Sequence, residues 1–382
     1  MFQLRDLAFA PLGVAYGAAG SARRALYRAG VLAVERVGAP VVSVGNITAG
    51  GTGKTPLVEW LARAAAEEGR RVCILTRGYG RDDAGARVIV SDGERVLAGA
   101  REGGDEPRLL AESLRGLPVA IVSDANRVAA ARWALENLRS EVFILDDGFQ
   151  HLRIARDLNI ITLDATDPWG GGRQLPHGRL REPLGEMRRA DLIVITRADL
   201  AGDVEDLRAR AASLSGGRPV LVARTNTLRI APLVTMAVEA ATDTHETNDL
   251  PTPFTNDLLT PFTNDLQQPP AAVIPQPLAA FCAIGNPQAF FAHARREGLA
   301  LCYTRAFKDH HTYTQRDVDE CSREAARHGA RALLTTAKDA VKLRALDFAL
   351  PCYVLEVALK FDDEQRMRVV LNECLSRRAD GL

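Results

Sequence analysis

Gly50, Gly51 and Gly53 stand just ahead of Lys54 and Thr55 in the run Val41-Val-Ser-Val-Gly-Asn-Ile-Thr-Ala-Gly-Gly-Thr-Gly-Lys-Thr55. Glycines lack a Cβ, so successive backbone N–H groups around Thr52 can converge on phosphate oxygens. Lys54 is placed to reach the β- and γ-phosphates of a nucleotide, and Thr55 to offer its hydroxyl to Mg²⁺. A helix opening at this point adds its partial positive charge. The binding candidates are therefore Gly50, Gly51, Thr52, Gly53, Lys54 and Thr55. One departure stands out: a regular loop of this kind has glycine where this chain has Thr48.

Carboxylates are the next requirement. Val142-Phe-Ile-Leu-Asp-Asp147 is an apolar run ending in two acids. An acid at the carboxyl end of a strand beside the phosphate loop orders Mg²⁺ and its waters, which makes Asp146 and Asp147 metal candidates. Gly104-Asp-Glu-Pro107 is a second acidic cluster, at the start of an expected helix, where helix capping would explain it equally well.

These side chains need a scaffold. Short, nearly continuous apolar runs at Val41–Val44, Val72–Thr76, Val119–Ser123, Val142–Asp146, Ile160–Leu163, Leu192–Thr196 and Val220–Ala223 read as strands buried on both faces. Helical stretches such as Pro56–Glu68 and Ala125–Leu138 separate several of them, so a mostly parallel α/β sheet is expected over 40–230. Arg87–Ser91 followed by Asp92-Gly93 reads as an added antiparallel ribbon.

Between 242 and 277 the composition changes. Thr252–Leu258 recurs as Thr260–Leu266, amid many Pro, Thr, Asn and Asp residues. Such a segment cannot bury enough surface to offset its ordering entropy, so a flexible insertion is expected. Alternation resumes over 278–360 as a smaller α/β domain, with strands at Ala279–Ile284, Leu301–Tyr303, Ala332–Thr336 and Tyr353–Val357 and helices from Pro287 and Gln315. A helix over Asp362–Ser376, within 361–382, is expected to return to the first domain.

The chain has 382 residues, 47% hydrophobic, with 48 basic and 48 acidic side chains. Its length fits two domains, and its balanced charge and 5% aromatic content argue against a nucleic-acid partner. The scattered cysteines lack zinc spacing and read as reduced packed thiols. Within 1–39, Leu7–Gly20 is uncharged and mostly apolar and is followed by Arg23, Arg24 and Arg28. It is shorter than the roughly 20 residues of a membrane span, and its charges follow the apolar part, unlike a secretory signal. A helix on an anionic membrane surface and an ordinary packed helix both fit.

Taken together, several segments resemble the tetraacyldisaccharide 4′-kinase family, the lipid A 4′-kinases. They are Gly45-Asn46 with Gly50–Pro56, Arg77-Gly-Tyr-Gly80, Gly104–Pro107, Asp124-Ala-Asn-Arg127, Asp146-Asp-Gly-Phe-Gln-His151, Leu175–Pro183, Phe307-Lys-Asp-His-His311 and Thr335–Lys342. They occur in the family's order and cover both domains. The resemblance implies ATP and Mg²⁺, and transfer of the γ-phosphate to the 4′-hydroxyl of an acylated disaccharide lipid. It also implies a monomer peripheral to the cytoplasmic face of the bacterial inner membrane, attached by the N-terminal helix. By residue, it implies Lys54 as a catalytic cation, Glu182 as a further metal-site acid, Asp105 as the base partnered by His310, and Tyr79, Arg127 and His151 near the phosphates or sugar. Two alternatives come from other classes. A motor or partitioning ATPase shares the loop but carries lysine where this chain has Ala49, and a GTPase-like switch would read its base through Thr196-Arg-Ala-Asp199.

Overall fold

The computed structural model describes residues 4–233 and 274–376. The chain divides into two units. The first comprises Met1–Asn226, Ile284–His293 and Ala358–Leu382, and the second Thr227–Ala283 and Ala294–Val357. The insertion expected over 242–277 falls outside the described residues except for 274–277.

In the first unit the apolar runs fold as strands: β1 (Val41–Gly45), β2 (Val72–Thr76), β3 (Val88–Asp92), β4 (Val119–Ser123), β5 (Val142–Asp146), β6 (Leu158–Asp164), β7 (Leu192–Thr196) and β8 (Val220–Pro232, entering the second unit after Asn226). Their order is β8-β7-β6-β1-β5-β2-β4-β3, and every pairing except β3 with β4 is parallel. Strands β1 to β5 lie to one side and β6 to β8 to the other, so the direction of winding reverses at β1. Parallel sheets bind ligands at such a switch, beyond the carboxyl ends of the strands.

The helices are α1 (Leu4–Arg28), α2 (Lys54–Glu67), α3 (Ala100–Gly103), α4 (Asp105–Ser113), α5 (Arg127–Leu138) and α6 (Glu205–Ser215). Strand alternation sends Val42 and Val44 of β1 into one core with Leu57, Val58 and Leu61 of α2, while Val41 joins the core under α5. Helix α5 begins at Arg127, later than its apolar pattern suggests. Asp124 accepts from the Asn126 N–H at 2.7 Å, and Asn126 caps the helix by accepting from Ala129 N–H at 3.2 Å. At the Asp92-Gly93 turn the return leg forms only an isolated bridge, Ser91 to Val96, so β3 is an antiparallel edge strand and not half of a separate ribbon.

The second unit has β9 (Leu278–Cys282), β10 (Leu301–Ala306), β11 (Ala332–Thr336) and β12 (Cys352–Phe361, returning to the first unit at Ala358), in the parallel order β10-β9-β11-β12. Its helices are α8 (Gln315–Arg327) and α9 (Ala337–Leu343); α7 (Pro287–Arg296) precedes them and lies largely in the first unit. The last helix, α10 (Glu364–Ser376), puts Met367, Leu371, Cys374 and Leu375 into the core that holds α2. Arg368 adds an ion pair to Glu67 at 3.0 Å. None of the six cysteines is joined in a disulfide, and five of them are buried.

Candidate nucleotide and phosphoryl-transfer site

The glycine-rich loop leaves β1 and turns into α2 through Gly53, which sits in the left-handed region at φ 74°. Neither a side-chain cap nor an acid occupies the first turn of α2, so its N-terminal amides keep their capacity for an external anion. Buried hydroxyls shape the loop. Thr52 Oγ1 lies 2.8 Å from Thr162 Oγ1 and accepts from Asn46 Nδ2 at 3.0 Å, while Thr196 Oγ1 donates to the Thr52 carbonyl at 2.9 Å.

Thr48 is accounted for by a second strand of contacts. It bridges antiparallel to Leu180, flanked by hydrogen bonds from Ala49 N–H to the Arg179 carbonyl (2.6 Å) and from Arg181 N–H to the Ile47 carbonyl (2.7 Å). Arg179 also donates through Nε and Nη2 to the Ala49 carbonyl, at 3.0 and 2.9 Å. The start of the loop is therefore held extended by 179–181, a geometry that does not need glycine at Thr48.

Parallel register places the acids. Val44 of β1 lies beside Asp146 of β5, so both strands end at the same edge. Asp147 adopts φ 51° and accepts two hydrogen bonds from Arg181 Nη1, at 2.8 and 2.7 Å, with Lys54 Nζ 3.4 Å away. Burial opposes ionisation of Asp147, but Lys54 and Arg181 outweigh it and hold the carboxyl down to about 2. Asp146 differs. Burial, reinforced by Glu106, pushes it up to about 7 against the pull of Lys54 and Arg127, and its Oδ1 is buried without a hydrogen-bond partner. An unpartnered buried carboxylate oxygen next to a lysine and an anion-ready helix end fits a magnesium–phosphate group. Among the described residues no three His, Cys, Asp or Glu side chains converge as a metal cluster. Mg²⁺ in phosphoryl-transfer sites takes one or two protein carboxylates and completes its shell with phosphate oxygens and water.

The remaining expected residues fall as follows. Asp105 opens α4 and is buried; its approach is set by Gly78 and Gly104, both at positive φ, with the Gly78 Cα only 3.0 Å from where a Cβ on Gly104 would lie. Arg127 is buried, which lowers its pKa while Asp146 raises it, so it faces the acid pair. Tyr79 is exposed and packs on Arg77, 5.3 Å from the guanidinium to the ring centre. Burial pushes His151 down to about 4, assisted by Arg127 and Arg156. Glu182 is buried and raised in pKa by that burial, and its ion pairs run to Arg189 and, at 4.0 Å, to Arg24 of α1. In the second unit His310 lies at φ 60°, with Lys338 Nζ 3.5 Å from its Nε2 and 3.3 Å from Asp309 Oδ1. That contact joins the Phe307–His311 and Thr335–Lys342 motifs in one place.

Arg181 and Lys338 were not singled out by residue type. An arginine among many, or a lysine at a helix start, carries no signal until a carboxylate or imidazole is seen beside it. Asp199 was a possible base reader, but it faces inward: its Oδ1 accepts from Thr225 N–H at 2.7 Å, and its Oδ2 lies 3.9 Å from His293 Nδ1, both side chains being about 4% exposed.

Comparison with known proteins shows the family. A curated relative from Anaeromyxobacter sp. (strain Fw109-5), named tetraacyldisaccharide 4′-kinase, is 39% identical over 376 residues, covering 96% of this chain and 92% of its own. One of the same name from Geobacter metallireducens is 40% identical over 334 residues, covering 87% of each chain. The crystal structure of LpxK from Aquifex aeolicus in complex with ATP superposes with a TM-score of 0.69 at 30% identity, covering 97% of this chain and 100% of that one. The family model for LpxK, tetraacyldisaccharide-1-P 4′-kinase, matches residues 5–376, and on that match the chain belongs to this family.

Proposed function

We propose that this protein transfers the γ-phosphoryl group of ATP to the 4′-hydroxyl of a tetraacyldisaccharide 1-phosphate. The observation that carries the reading is the strand-edge cluster of Lys54, Asp147, Arg181 and the unpartnered Asp146 oxygen, set around an anion-ready helix terminus in a member of this family. Gly50, Gly51, Thr52 and Gly53 hold the phosphates by backbone amides, and Lys54 spreads the charge of the moving phosphoryl group. Thr55 and Asp146, with Asp147 beside them, would hold Mg²⁺, which neutralises phosphate charge when bound; Glu182 is assigned to the same acidic group by family resemblance. Asp105 takes the hydroxyl proton, assisted by His310. A weak base suffices, because phosphoryl transfer through a loose transition state depends mainly on positioning and charge. Tyr79, Arg127 and His151 contact phosphates or sugar.

The same reading assigns the protein, as a monomer, to the cytoplasmic face of the inner membrane, where ATP and a lipid-borne sugar meet. No helix among the described residues is long and apolar enough to cross a membrane. Helix α1 instead exposes Leu12, Val14, Tyr16 and Leu26, with Arg28 on its surface, which suits a helix lying on an anionic bilayer.

The test is incubation of purified protein with ATP, Mg²⁺ and a monophosphorylated acyl disaccharide, followed by mass measurement. A product heavier by one phosphoryl group is expected, and its absence would end the proposal. Lys54→Ala should abolish the product. Asp105→Ala should do so while leaving ATP binding within about threefold of wild type, since a proton acceptor acts in the transition state more than in binding. Normal turnover in Asp105→Ala would remove it as the base.

A further inference from the structure

The loop after β7, Thr196-Arg-Ala-Asp199, is left unexplained by phosphoryl transfer, yet it makes unusual contacts. On one side it touches the phosphate loop. Thr196 bonds the Thr52 carbonyl, and Arg197 Nη1 donates to the Gly51 carbonyl at 2.6 Å. On the other it reaches places where the chain changes units, which happens at 226–227, 283–284, 293–294 and 357–358. Asp199 holds the Thr225 N–H and faces His293, so it grips residues beside two of those crossings. Arg197 also pairs with buried Asp164, whose Oδ2 accepts from Asn286 Nδ2 at 3.1 Å, close to a third. Asn286 accepts in turn from Ala289 N–H at 3.2 Å, capping α7, and the Gly285 Cα lies 3.7 Å from where a Cβ on Gly51 would be.

A chain of short polar contacts thus runs from the carbonyls of the phosphate loop to 225, 286 and 293. We propose that Arg197, Asp199 and Asn286 are positioning residues: they transmit the state of the phosphate loop to the segments at which the chain leaves the first unit. This rests on the kinase reading only in taking the loop as the nucleotide site. A carbonyl held by Arg197 must keep or change that bond when phosphate orders the loop, and Asp164 passes the outcome to Asn286. Coupling of this kind needs contacts that differ between two states, and the Arg197 Nη1 that holds the Gly51 carbonyl and Asp164 together is the group such a difference would reach.

The roles of Asn286 can be separated. Serine is also a good helix cap but is too short to reach Asp164. Asn286→Ser should therefore keep α7 intact while cutting the link. The experiment measures hydrogen exchange by mass spectrometry on the full chain, with and without ATP·Mg²⁺, alongside nucleotide Kd and kcat for lipid phosphorylation. In the wild type, nucleotide should slow exchange over 222–226 and 284–293. In Asn286→Ser, Kd should stay within about threefold, the slowing over 284–293 should vanish, and kcat should fall about tenfold. Arg197→Lys, which keeps the charge but falls one bond short of the Nη1 that donates to both the Gly51 carbonyl and Asp164, should do the same and serves if the first variant is unstable. Wild-type protein that binds ATP with no change over these segments overturns the inference, as does Asn286→Ser with wild-type kcat and protection. Wild-type protein that binds no ATP overturns the nucleotide-site reading itself.

Discussion

Two adjacent carboxylates, Asp146 and Asp147, end up on opposite sides of ordinary carboxylate behaviour. The cause is local. Asp147 turns through the left-handed region toward Lys54 and Arg181, while Asp146 stays in the strand's burial without a full hydrogen-bond complement. The sequence shows both acids at a strand end, but not which of them the arginine claims, because that arginine comes from a segment 34 residues further on. His151 illustrates a second hidden property. Its side chain is held at about 4 against 6.5 for a free imidazole, so between those values the unfolded chain binds the proton more readily. His151 therefore contributes a loss of stability as pH drops from about 6.5 toward 4, opposed over the same range by Asp146, whose raised carboxyl takes up a proton on folding. His151→Gln should remove the first contribution alone and make the protein relatively more stable toward pH 4 in urea titrations at stepped pH. An unchanged slope would mean the imidazole is solvated. The glycines, Lys54, Thr55 and the acid pair were legible because their chemistry needs those types in sequence; Arg181 and Lys338 were not, because their partners are distant in the chain.

At the scale of the element, strands buried on both faces were the easiest to read. Val72–Thr76, Val119–Ser123, Val142–Asp146 and Leu192–Thr196 run between the residues where their apolar pattern starts and stops. Pattern fails where burial ends before the hydrogen bonds do. Strand β8 continues to Pro232, well past Ala223, with half-exposed residues that carry no apolar run. Strand β3 likewise pairs along its length with β4, while its own return leg adds only the Ser91–Val96 bridge. Helix α10 is amphipathic enough to be expected, and its apolar face completes the core over α2. Leu371, 1% exposed, is central to that seam. Leu371→Ala should cost about 2–5 kcal/mol of unfolding free energy, read by denaturant titration with an unchanged m-value. A loss below about 1 kcal/mol would show that α10 docks only loosely.

For the molecule as a whole, the first unit is assembled from three stretches of chain, so its sheet, α7 and α10 cannot be separated by a single cut. Helix α1 is fastened to that unit by buried Arg24, 3.1 Å from Glu186, and it carries exposed Leu12 and Val14 outward. If it meets a bilayer, Leu12→Glu with Val14→Glu should weaken sedimentation with anionic vesicles by about tenfold or more and leave Tm within about 2 °C. Equal binding by the double variant would locate membrane contact elsewhere. The Lys54–Asp147–Arg181 triangle has its own consequence for the working cycle. A lysine that already has a counter-ion gains little from an arriving anion unless that anion outbids the resident one, so nucleotide entry is an exchange and not an addition. Small singly bound anions such as inorganic phosphate should be turned away where a chelated triphosphate is admitted. Asp147→Asn should then hold phosphate more tightly while turning over more slowly, a divergence of Kd and kcat that equilibrium binding and steady-state rates would register.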